Sequence, residues 1–400
     1  MKKPKLIRIT TVPVSMNIIL KGQLGFMNHY FEVIGVTGYD KKHYEDVLKR
    51  EQIQMEPIEM ARTISPIKDL VSLWKLYRFL KKEKPAIVHT HTPKAGLLGM
   101  IAAYFAGVPT RMHTVAGMPW VELTGIKKWI VGWTEKITFA CAHKVYPNSY
   151  GLKKIINDNN FCPPEKLKVI ANGASNGVNT VVFDPNNSDL KSREGLRQEH
   201  NISGEIVFCF VGRIAKEKGI QELINSFEKL QKEPSTSKIK LVLIGTFEKH
   251  YGLLGDALEK SITDNPDILA LGRFDDVRPF YLMSDVFAFP SYREGFPNAL
   301  MEAGAMALPS IATNINGCNE IITDGHNGIM IQPKNETALY QAMKKMIEEK
   351  ELRITLAANA RKIIVDKFRR EIIWESLLEE YKMLLSKKGI NVKQEAQSIN

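Results

Sequence analysis

Strand-like and helical segments alternate along this chain, and the alternation starts twice. The first series of short apolar segments lies within residues 6–170, and the second lies within residues 206–331. A helix between two strands returns the chain to the same edge of a sheet, so this alternation is typical of parallel sheets covered by helices. The sequence therefore predicts an α/β chain with two Rossmann-like halves, each about the size of one domain.

The predicted strands and the polar segment between the two series set the domain boundaries. The first series comprises Leu6–Thr11, Phe31–Thr37, Ala86–His89, Thr110–Val115, Lys144–Tyr146 and Leu167–Ile170. The second comprises Ile206–Val211, Ile239–Ile244, Ile268–Leu271, Val286–Phe289, Ser310–Ala312 and Gly328–Ile331. Because the polar residues 183–188 have the composition of a linker, we place the domains at residues 1–188 and 200–368. An amphipathic pattern predicts a long helix over residues 371–386.

The composition is ordinary for a globular protein, with 44% hydrophobic and 25% charged residues among 400. No apolar run reaches the roughly 20 residues that a membrane-spanning helix needs. The cysteines are far apart and form no C-x-x-C motif; they are Cys141, Cys162, Cys209 and Cys318. We therefore expect reduced thiols and a cytoplasmic location, with the basic N-terminus forming a first strand and not a signal peptide.

The positive charge is concentrated in the first half of the chain. Residues 1–200 contain 29 Lys and Arg against 17 Asp and Glu, whereas residues 201–400 contain 26 against 27. Such asymmetry favours an anionic partner for the first half, such as a membrane surface, a phosphorylated acceptor or nucleic acid, over a merely solvated surface.

Two carboxylates, Glu294 and Glu302, lie on either side of a glycine turn and a predicted helix start, directly after the strand Val286–Phe289. Pro297 suits the first helical position, because its fixed φ fits a helix and its missing N–H is not needed there. Free N–H groups and the positive end of the helix dipole then favour an anionic ligand at the turn. If the span is helical, the carboxylates are up to roughly 12 Å apart and can hold two hydroxyl groups of one elongated ligand.

A second loop bounded by glycines carries two cations. Gly212 and Arg213 follow the apolar strand Ile206–Val211, and Lys218 precedes Gly219 at the start of a helical pattern. Ligands of open α/β sheets bind at the carboxyl ends of the strands. Arginine can hold phosphate oxygens through two parallel hydrogen bonds, and lysine supplies a point charge. The pattern therefore favours a phosphate site over surface charge on a loop.

Together the two motifs resemble those of the retaining glycosyltransferases of family 4, which have the GT-B fold. The matching residues follow the order and spacing of that family over nearly the whole chain, and they are Gly212-Arg213, Lys218-Gly219, Gly272-Arg273 before Asp275-Asp276, and Glu294 with Glu302. The resemblance implies two Rossmann-like domains whose parallel sheets face each other across a cleft. It also implies that the first domain binds the acceptor, that the second binds a nucleotide-sugar donor, and that the C-terminal helix crosses back to the first domain.

The resemblance gives each matching residue of the second domain a role. Arg213 and Lys218 would hold the donor diphosphate, Glu294 would contact the donor sugar, and Glu302 would contact the ribose. The nucleobase would lie beside Gly272 and Arg273. The other donor-binding positions would contact phosphate and sugar oxygens through the backbone, and they are Gly295, Phe296, Pro297, Asn298, Ala299 and Leu300.

Catalysis of such a transfer depends mainly on stabilising the departing diphosphate, whose oxygen can accept the proton of the acceptor. Glu294, Arg213 and Lys218 are therefore the predicted catalytic residues. The sequence has no D-x-D motif, and we expect neither a metal ion nor another cofactor.

The resemblance assigns residues of the first half to the acceptor or to the cleft. Gly22 and Gly25 follow the first predicted strand and would let the donor and the acceptor approach the backbone. His91 ends an H-x-H pattern that lacks a neighbouring cysteine or carboxylate, which makes a poor metal site, and we expect it to form hydrogen bonds in the cleft. Lys94 fits either a contact with an acceptor phosphate or the first turn of a helix.

The loop after the fourth strand departs from the family pattern. Many members carry a histidine there in a T-x-H-G motif, but this chain has Ala116 at that position. His113 is three residues earlier, where strand alternation directs its side chain to the opposite side. We keep His113 as a candidate cleft residue, while the alanine argues against a catalytic histidine in this loop.

Aromatic and basic residues cluster in the first half of the chain. The cluster comprises Trp120, Trp129 and Trp133 with Lys127, Lys128 and Lys136. On an interfacial helix this cluster would seat the protein on anionic lipid; the alternative is a helix whose tryptophans lie in the core.

These features predict the transfer of a hexose-type sugar from a nucleotide sugar. The resemblance implies that the donor is a uridine diphosphate sugar, and the alternative is a guanosine diphosphate sugar. The acceptor implied is a polyprenyl-diphosphate-linked saccharide, and the setting is capsule, exopolysaccharide or O-antigen synthesis at the inner face of the cytoplasmic membrane. Other candidates are a non-catalytic nucleotide-sugar-binding subunit of a polysaccharide assembly complex and a GT-B sugar-nucleotide epimerase. A nicotinamide-dependent dehydrogenase is disfavoured because no G-x-G-x-x-G follows the first strand, and a nucleic-acid binder would not explain the two glutamates.

Overall fold

The computed structural model describes residues 3–234, 238–247 and 254–392. Two compact units form within this part of the chain: the first comprises the residues up to Asn176 together with those from Glu371 onward, and the second spans Gly177–Arg370. Each unit contains one six-stranded sheet whose paired strands are all parallel. The prediction of an α/β chain with two parallel sheets is therefore confirmed.

The first unit has the sheet order β3-β2-β1-β4-β5-β6. Its strands are β1 Lys5–Ile9, β2 Glu32–Thr37, β3 Gln54–Pro57, β4 Ile87–His91, β5 Thr110–Val115 and β6 Lys144–Pro147. Its helices are α1 Pro13–Ile19, α2 Gln23–Asn28, α3 Lys41–Glu51, α4 Pro66–Glu83, α5 Pro93–Ala106, α6 Gly125–Cys141 and α7 Tyr150–Asp158, with a 3₁₀ helix at Pro119–Glu122.

The second unit repeats this arrangement with the sheet order β12-β11-β10-β7-β8-β9. Its strands are β7 Ile206–Val211, β8 Ile239–Ile244, β9 Ile268–Gly272, β10 Val286–Phe289, β11 Ser310–Thr313 and β12 Gly328–Ile331. Its helices are α8 Arg193–Glu199, α9 Ile220–Gln231, α10 Asp256–Asp264, α11 Arg278–Met283, α12 Asn298–Ala305, α13 Cys318–Ile321, α14 Glu336–Glu348 and α15 Lys350–Lys367. The last helix of the chain is α16, Arg370–Ser386.

The C-terminal helix α16 packs on the first unit, as predicted. Neighbouring residues of β1 point to opposite faces of the sheet, so Ile7 belongs to one apolar cluster and Leu6 to another. The cluster around Leu6 includes Trp374 and Tyr381 of α16. Burial of this apolar face on the sheet of the first unit explains why the chain returns there at its end.

The boundary between the units differs from the predicted one. Residues 177–188 belong to the second unit, where Arg361 of α15 forms an ion pair with Asp184 and donates a hydrogen bond to the carbonyl of Phe183. Gly177 packs so closely on Phe368 that a Cβ there would lie 2.6 Å from the Phe368 oxygen. The polar composition of this segment therefore reflects hydrogen bonding within the second unit and not a free linker.

One predicted strand needs correction, and one strand of the first sheet was not predicted. Leu167–Ile170 was predicted as a strand, but it forms only an isolated bridge between Leu167 and Val145. The sixth strand of the first sheet is instead β3, an edge strand of half-exposed and polar residues that carries little apolar signal. Helices α1, α2 and α3, for which no range was predicted, occupy the connections around β2.

Candidate functional site

The two predicted motif loops follow β7 and β10, the neighbouring strands at the centre of the second sheet. The strand order runs outward in opposite directions from this pair, which makes it the topological switch point of the sheet. Connections on the two sides leave a crevice at the carboxyl ends of such strands, and ligands of open α/β sheets bind there. The fold therefore brings the two loops together at the position where a ligand is expected.

Gly219 fixes the contact between the two loops. It has a φ of 70°, and a Cβ at this position would lie 2.1 Å from the carbonyl oxygen of Pro290, which follows β10. The amide of Tyr292 also donates to the carbonyl of Glu217 at 2.9 Å. Only glycine allows both this left-handed backbone and this approach, so the position specifies how the loops meet.

Lys218 and Glu294 form the central ion pair of the site. The ammonium Nζ of Lys218 lies 2.5 Å from Oε1 of Glu294, and both side chains are largely buried. The hydroxyl of Ser291 donates to the same carboxylate oxygen at 2.9 Å. A partly buried ammonium with its carboxylate forms a strong charge-assisted contact, and an anionic ligand at Lys218 would share the ammonium with Glu294.

Arg213 lies at the same loop and is the more exposed of the two predicted cations. Its Nη2 is 2.9 Å from Oε1 of Glu217, and its side chain is 38% exposed. The structure thus places both predicted phosphate ligands in one loop, each beside a carboxylate.

The helix after the glutamate turn is α12, and it begins one residue later than predicted. Asn298 is its first residue, whereas Pro297 is the N-cap with φ −77° and ψ 114°. The side chain of Phe296 packs against Phe368, with ring centroids 5.5 Å apart. The first N–H groups of a helix have no partner within it, and the dipole adds positive potential there, so the turn has the backbone chemistry of an anion site.

Glu302 lies within α12 and is held by a buried tyrosine. The Tyr281 hydroxyl donates to Oε2 of Glu302 at 3.3 Å and to the carbonyl of Ala299 at 3.2 Å. Burial, with the neighbouring Glu302 carboxylate as a smaller cause, raises the pKa of Tyr281 well above its usual value, so the hydroxyl stays protonated and can donate. Tyr281 therefore orients the Glu302 carboxylate, a contact that the sequence did not reveal.

The loop after β11 supports the glutamate turn from the other side. The Asn316 side-chain amide donates to the carbonyls of Glu294 and Gly295, at 3.3 and 3.0 Å. A Cβ on Gly317 would lie 2.3 Å from the Gly295 oxygen. An Asn-Gly pair is a turn signal, and Asn316-Gly317, separated from the end of β11 by two residues, could have identified this loop.

Gly272 and Arg273 lie at the end of β9, the edge strand of the second sheet. The carbonyl of Gly272 accepts from the amide of Gly245 at 2.8 Å, and a Cβ on Gly245 would lie 1.8 Å from the carbonyl oxygen of Gly212. Gly245 therefore links this loop to the Arg213 loop, and sequence analysis missed it. Arg273 and the following Phe274 are both exposed.

In the first unit, Gly22 and Gly25 bind an internal carboxylate. Their amides donate to Oε1 and Oε2 of Glu51 at 2.7 and 2.8 Å, and Glu51 is buried. Gly22 has a φ of 79° at the start of α2. The expected open approach of ligands to this backbone is not what the structure shows, because Glu51 occupies both amides.

His91 is buried in a polar cluster beneath the end of β4. Its Nε2 lies 2.8 Å from Nη2 of the buried Arg8, which also donates to Gln23 at 2.7 Å. Burial, followed by the charge of Arg8, lowers the pKa of His91 well below its usual value. His91 does form hydrogen bonds, as predicted, but as a neutral core residue beside a cavity of about 20 Å³ and not at an open cleft.

His113 differs from the expectation, whereas Lys94 takes one of its two predicted positions, the first turn of a helix. His113 lies in the core, where its Nδ1 is 2.8 Å from the Thr90 hydroxyl and burial lowers its pKa to about 4. A Cβ on Gly96 would lie 2.4 Å from the His113 ring, so this histidine supports α5 and does not line a cleft. Lys94 lies in the first turn of α5 and pairs with Asp69 of α4 at 2.5 Å.

Among the described residues, no group of three or more His, Cys, Asp or Glu side chains is placed to hold a metal ion. The four cysteines, all within the described ranges, are free thiols. No helix in these ranges has the length and apolar character needed to cross a bilayer.

Solved structures with the same architecture identify the fold. The structure of Alr3699/HepE from Anabaena in complex with UDP matches with a TM-score of 0.77 at 20% identity, over 97% of this chain and 100% of that chain. WaaG, a glycosyltransferase involved in lipopolysaccharide biosynthesis, matches with a TM-score of 0.69 at 14% identity, over 95% and 99% of the two chains. The two-unit architecture is therefore the GT-B fold of glycosyltransferases.

Sequence comparisons identify the family. Residues 192–363 match the model "Glycosyl transferases group 1", and residues 28–173 match the model "Glycosyl transferase 4-like domain". The capsular polysaccharide biosynthesis glycosyltransferase CapM of Staphylococcus aureus is 32% identical over 96% of this chain and 98% of that protein. An Escherichia coli UDP-Gal:alpha-D-GlcNAc-diphosphoundecaprenol alpha-1,3-galactosyltransferase is 34% identical over 77% and 78% of the two chains. The chain belongs to glycosyltransferase family 4.

Proposed function

We propose that this glycosyltransferase moves a hexose-type sugar from a UDP-sugar to a polyprenyl-diphosphate-linked saccharide, with retention of the anomeric configuration and without a metal ion. The observation that carries the proposal is the Lys218–Glu294 ion pair at the switch point of the second sheet. It sets a cation for a diphosphate beside a carboxylate for sugar hydroxyls, at a helix N-terminus suited to anions. The relatives named for capsule synthesis and for a diphosphoundecaprenol acceptor support the acceptor class and a setting in capsule, exopolysaccharide or O-antigen synthesis.

Each residue of the site has a role in this proposal. Lys218 and Arg213 stabilise the charge on the departing diphosphate, assisted by the start of α12. Glu294 orients the reacting sugar, and Glu302, held by Tyr281, binds the ribose. Arg273 flanks the nucleobase. The departing diphosphate oxygen accepts the acceptor's proton, so no separate base is needed.

The decisive experiment measures sugar transfer to a short-chain polyprenyl diphosphate sugar across a set of sugar nucleotides. We expect a UDP-hexose to be used in the presence of a chelator, and Glu294→Gln to lose nearly all turnover while still unfolding in a cooperative transition. Glu348→Gln removes an exposed carboxylate of the same unit and is expected to leave turnover unchanged. Transfer from no sugar nucleotide, or normal turnover by the Glu294 variant, would refute the proposal.

A second experiment separates the diphosphate role of Lys218 from general charge. Lys218→Ala is expected to weaken calorimetric binding of UDP about tenfold or more, as for loss of a charge-assisted contact. Lys216 and Lys218 belong to one short 3₁₀ helix, Lys216–Lys218. Lys216→Ala removes an exposed lysine from this helix and is expected to change the affinity little. Equal effects of the two variants would contradict a specific diphosphate contact.

The proposal includes peripheral binding at the inner face of the cytoplasmic membrane through the first unit. Helix α4 exposes an apolar stripe that comprises Ile67, Leu70, Val71 and Trp74, and residues 62–84 contain seven Lys and Arg against two Asp and Glu. Helix α6 exposes a second stripe of Ile126, Trp129, Ile130, Trp133 and Ile137. Both helices pack on α5, and apolar stripes with flanking lysines favour the surface of an anionic bilayer.

Flotation with anionic vesicles tests this part of the proposal. We expect binding that falls as salt rises and that is lost when Ile67 and Leu70 are both changed to Glu. Ile354→Glu, at an exposed apolar position of α15 in the second unit, is the matched control. Vesicle binding that does not depend on salt concentration, or an equal loss of binding in the Ile354→Glu control, would contradict membrane binding through the first unit.

A further inference from the structure

Helix α6 forms one side of a groove of about 520 Å³ in the first unit. This volume is within the range of roughly 300–1,000 Å³ that small-molecule sites occupy. The floor is aromatic: Trp120 and Phe161 meet edge to face with ring centroids 4.9 Å apart, and Phe161 is buried. Gly132 makes room for this floor, because a Cβ there would lie 3.0 Å from Nε1 of Trp120.

The walls of the groove combine exposed indole rings with two ammonium groups. Trp129 and Trp133 line it with ring centroids 5.9 Å apart, and they are 65% and 52% exposed. Lys128 Nζ lies 4.2 Å from the ring centroid of Trp120, and Lys136 Nζ lies between the rings of Trp133 and Phe161, about 6 Å from each. None of the described residues that line the groove is acidic, so the site favours a ligand with both an apolar body and negative charge.

We propose that this groove binds the first isoprene units of the lipid-linked acceptor, with Lys128 and Lys136 contacting its diphosphate. The inference rests on the proposed function and names the subsite for the lipid end of its acceptor. A concave groove with a buried aromatic floor fits a single branched hydrocarbon chain, whereas the flat surface of a bilayer would leave it unfilled. Trp120 follows the carboxyl end of β5 by only five residues, which puts the groove beside the ligand-binding edge of the first sheet.

Calorimetry with farnesyl diphosphate, in the absence of membranes and of donor, tests the groove. We expect farnesyl diphosphate to bind, and inorganic diphosphate and farnesol each to bind much more weakly, because the site needs both chemistries. Combined Lys128→Gln and Lys136→Gln changes should weaken binding roughly tenfold, as should Trp129→Ala with Trp133→Ala. All four side chains line the surface, and a wild-type-like urea unfolding transition of the first unit, to which they belong, reports that the variants are intact.

Matched controls come from the same unit. Lys127→Gln removes a charge from α6 outside the groove, and Trp74→Ala removes an exposed indole from α4; both are expected to leave farnesyl diphosphate affinity within about twofold. The proposal is overturned if the controls weaken binding as much as the groove variants do, or if inorganic diphosphate binds as well as farnesyl diphosphate. It is also overturned if the groove variants bind farnesyl diphosphate normally and lose only their binding to anionic vesicles. Failure here with normal UDP binding and normal transfer would leave the proposed function standing.

Discussion

Gly219 offers a direct test of how the two loops of the site are held together. Its φ of 70° lies in the left-handed region, and an added Cβ would lie 2.1 Å from the Pro290 carbonyl oxygen. Gly325 of the same unit has a φ of 69° but no atom within 4 Å of an added Cβ. An alanine at either position therefore incurs a similar energetic cost for the left-handed backbone, and only at Gly219 does its Cβ also collide with the Pro290 carbonyl oxygen.

The backbone penalty for a left-handed non-glycine residue is about 1–2 kcal/mol, which is the expected cost of Gly325→Ala. At Gly219 the crowding adds about 1–3 kcal/mol, as for overpacked positions, because the obstructing atom is backbone and cannot rotate away. Gly219→Ala is therefore expected to cost the second unit about 2–5 kcal/mol. It should also displace Lys218 and weaken UDP binding about tenfold or more.

Tryptophan fluorescence distinguishes the unfolding of the two units. The five tryptophans of the chain all belong to the first unit, and they are Trp74, Trp120, Trp129, Trp133 and Trp374. Urea unfolding followed by fluorescence therefore reports the first unit, whereas circular dichroism also reports the second unit, whose transition should shift, and more for Gly219→Ala. If the two alanine variants lose equal stability and equal UDP affinity, the Gly219–Pro290 contact does not organise the site.

Three further predictions test other parts of the molecule. Burial raises the pKa of Glu135 from 4.5 to about 7, so between these pH values the folded state keeps a proton that the unfolded state releases. The free energy of unfolding of the first unit should therefore fall by about 3 kcal/mol as pH rises from about 4.5 to 7. Glu135→Gln should remove that pH dependence in urea titrations followed by fluorescence. Tyr281→Phe deletes the hydrogen bond to Glu302 and should raise the calorimetric Kd for UDP about fivefold. Trp374→Ala should lower the stability of the first unit by about 3–5 kcal/mol, seen in the fluorescence transition, although the residue is near the end of the chain.

The central strands of both units could be predicted because they are buried on both faces. Two strands of the second sheet have the predicted bounds, Ile206–Val211 and Ile239–Ile244. Continuous apolar runs of that length in an α/β chain are typical of strands buried on both faces. The edge strand β3 has no such signal, because exposed edge residues do not need to be apolar. The prediction of a strand at Leu167–Ile170 was wrong because burial alone does not specify pairing with a neighbouring strand, and only an isolated bridge forms there.

The local order of the two motif loops of the second unit was visible in the sequence, but their supporting contacts were not. Glycines, cations and glutamates have recognisable spacing within a loop, whereas Tyr281, Asn316 and Gly245 act on residues far from them in sequence. In the first unit the same limit led to errors. Nothing local shows that the carboxylate of Glu51 binds the amides of Gly22 and Gly25.

The Lys218–Glu294 pair has a consequence for the order of events under the proposed function. In the structure, Glu294 is held by Lys218 at 2.5 Å and by Ser291 at 2.9 Å on the same oxygen. A donor diphosphate that contacts Lys218 competes for its ammonium and weakens its hold on Glu294, whereas the Ser291 bond remains. The carboxylate then has one oxygen oriented by Ser291 and the other available to sugar hydroxyls. Under the proposed function, binding of the diphosphate thus prepares the group that orients the sugar.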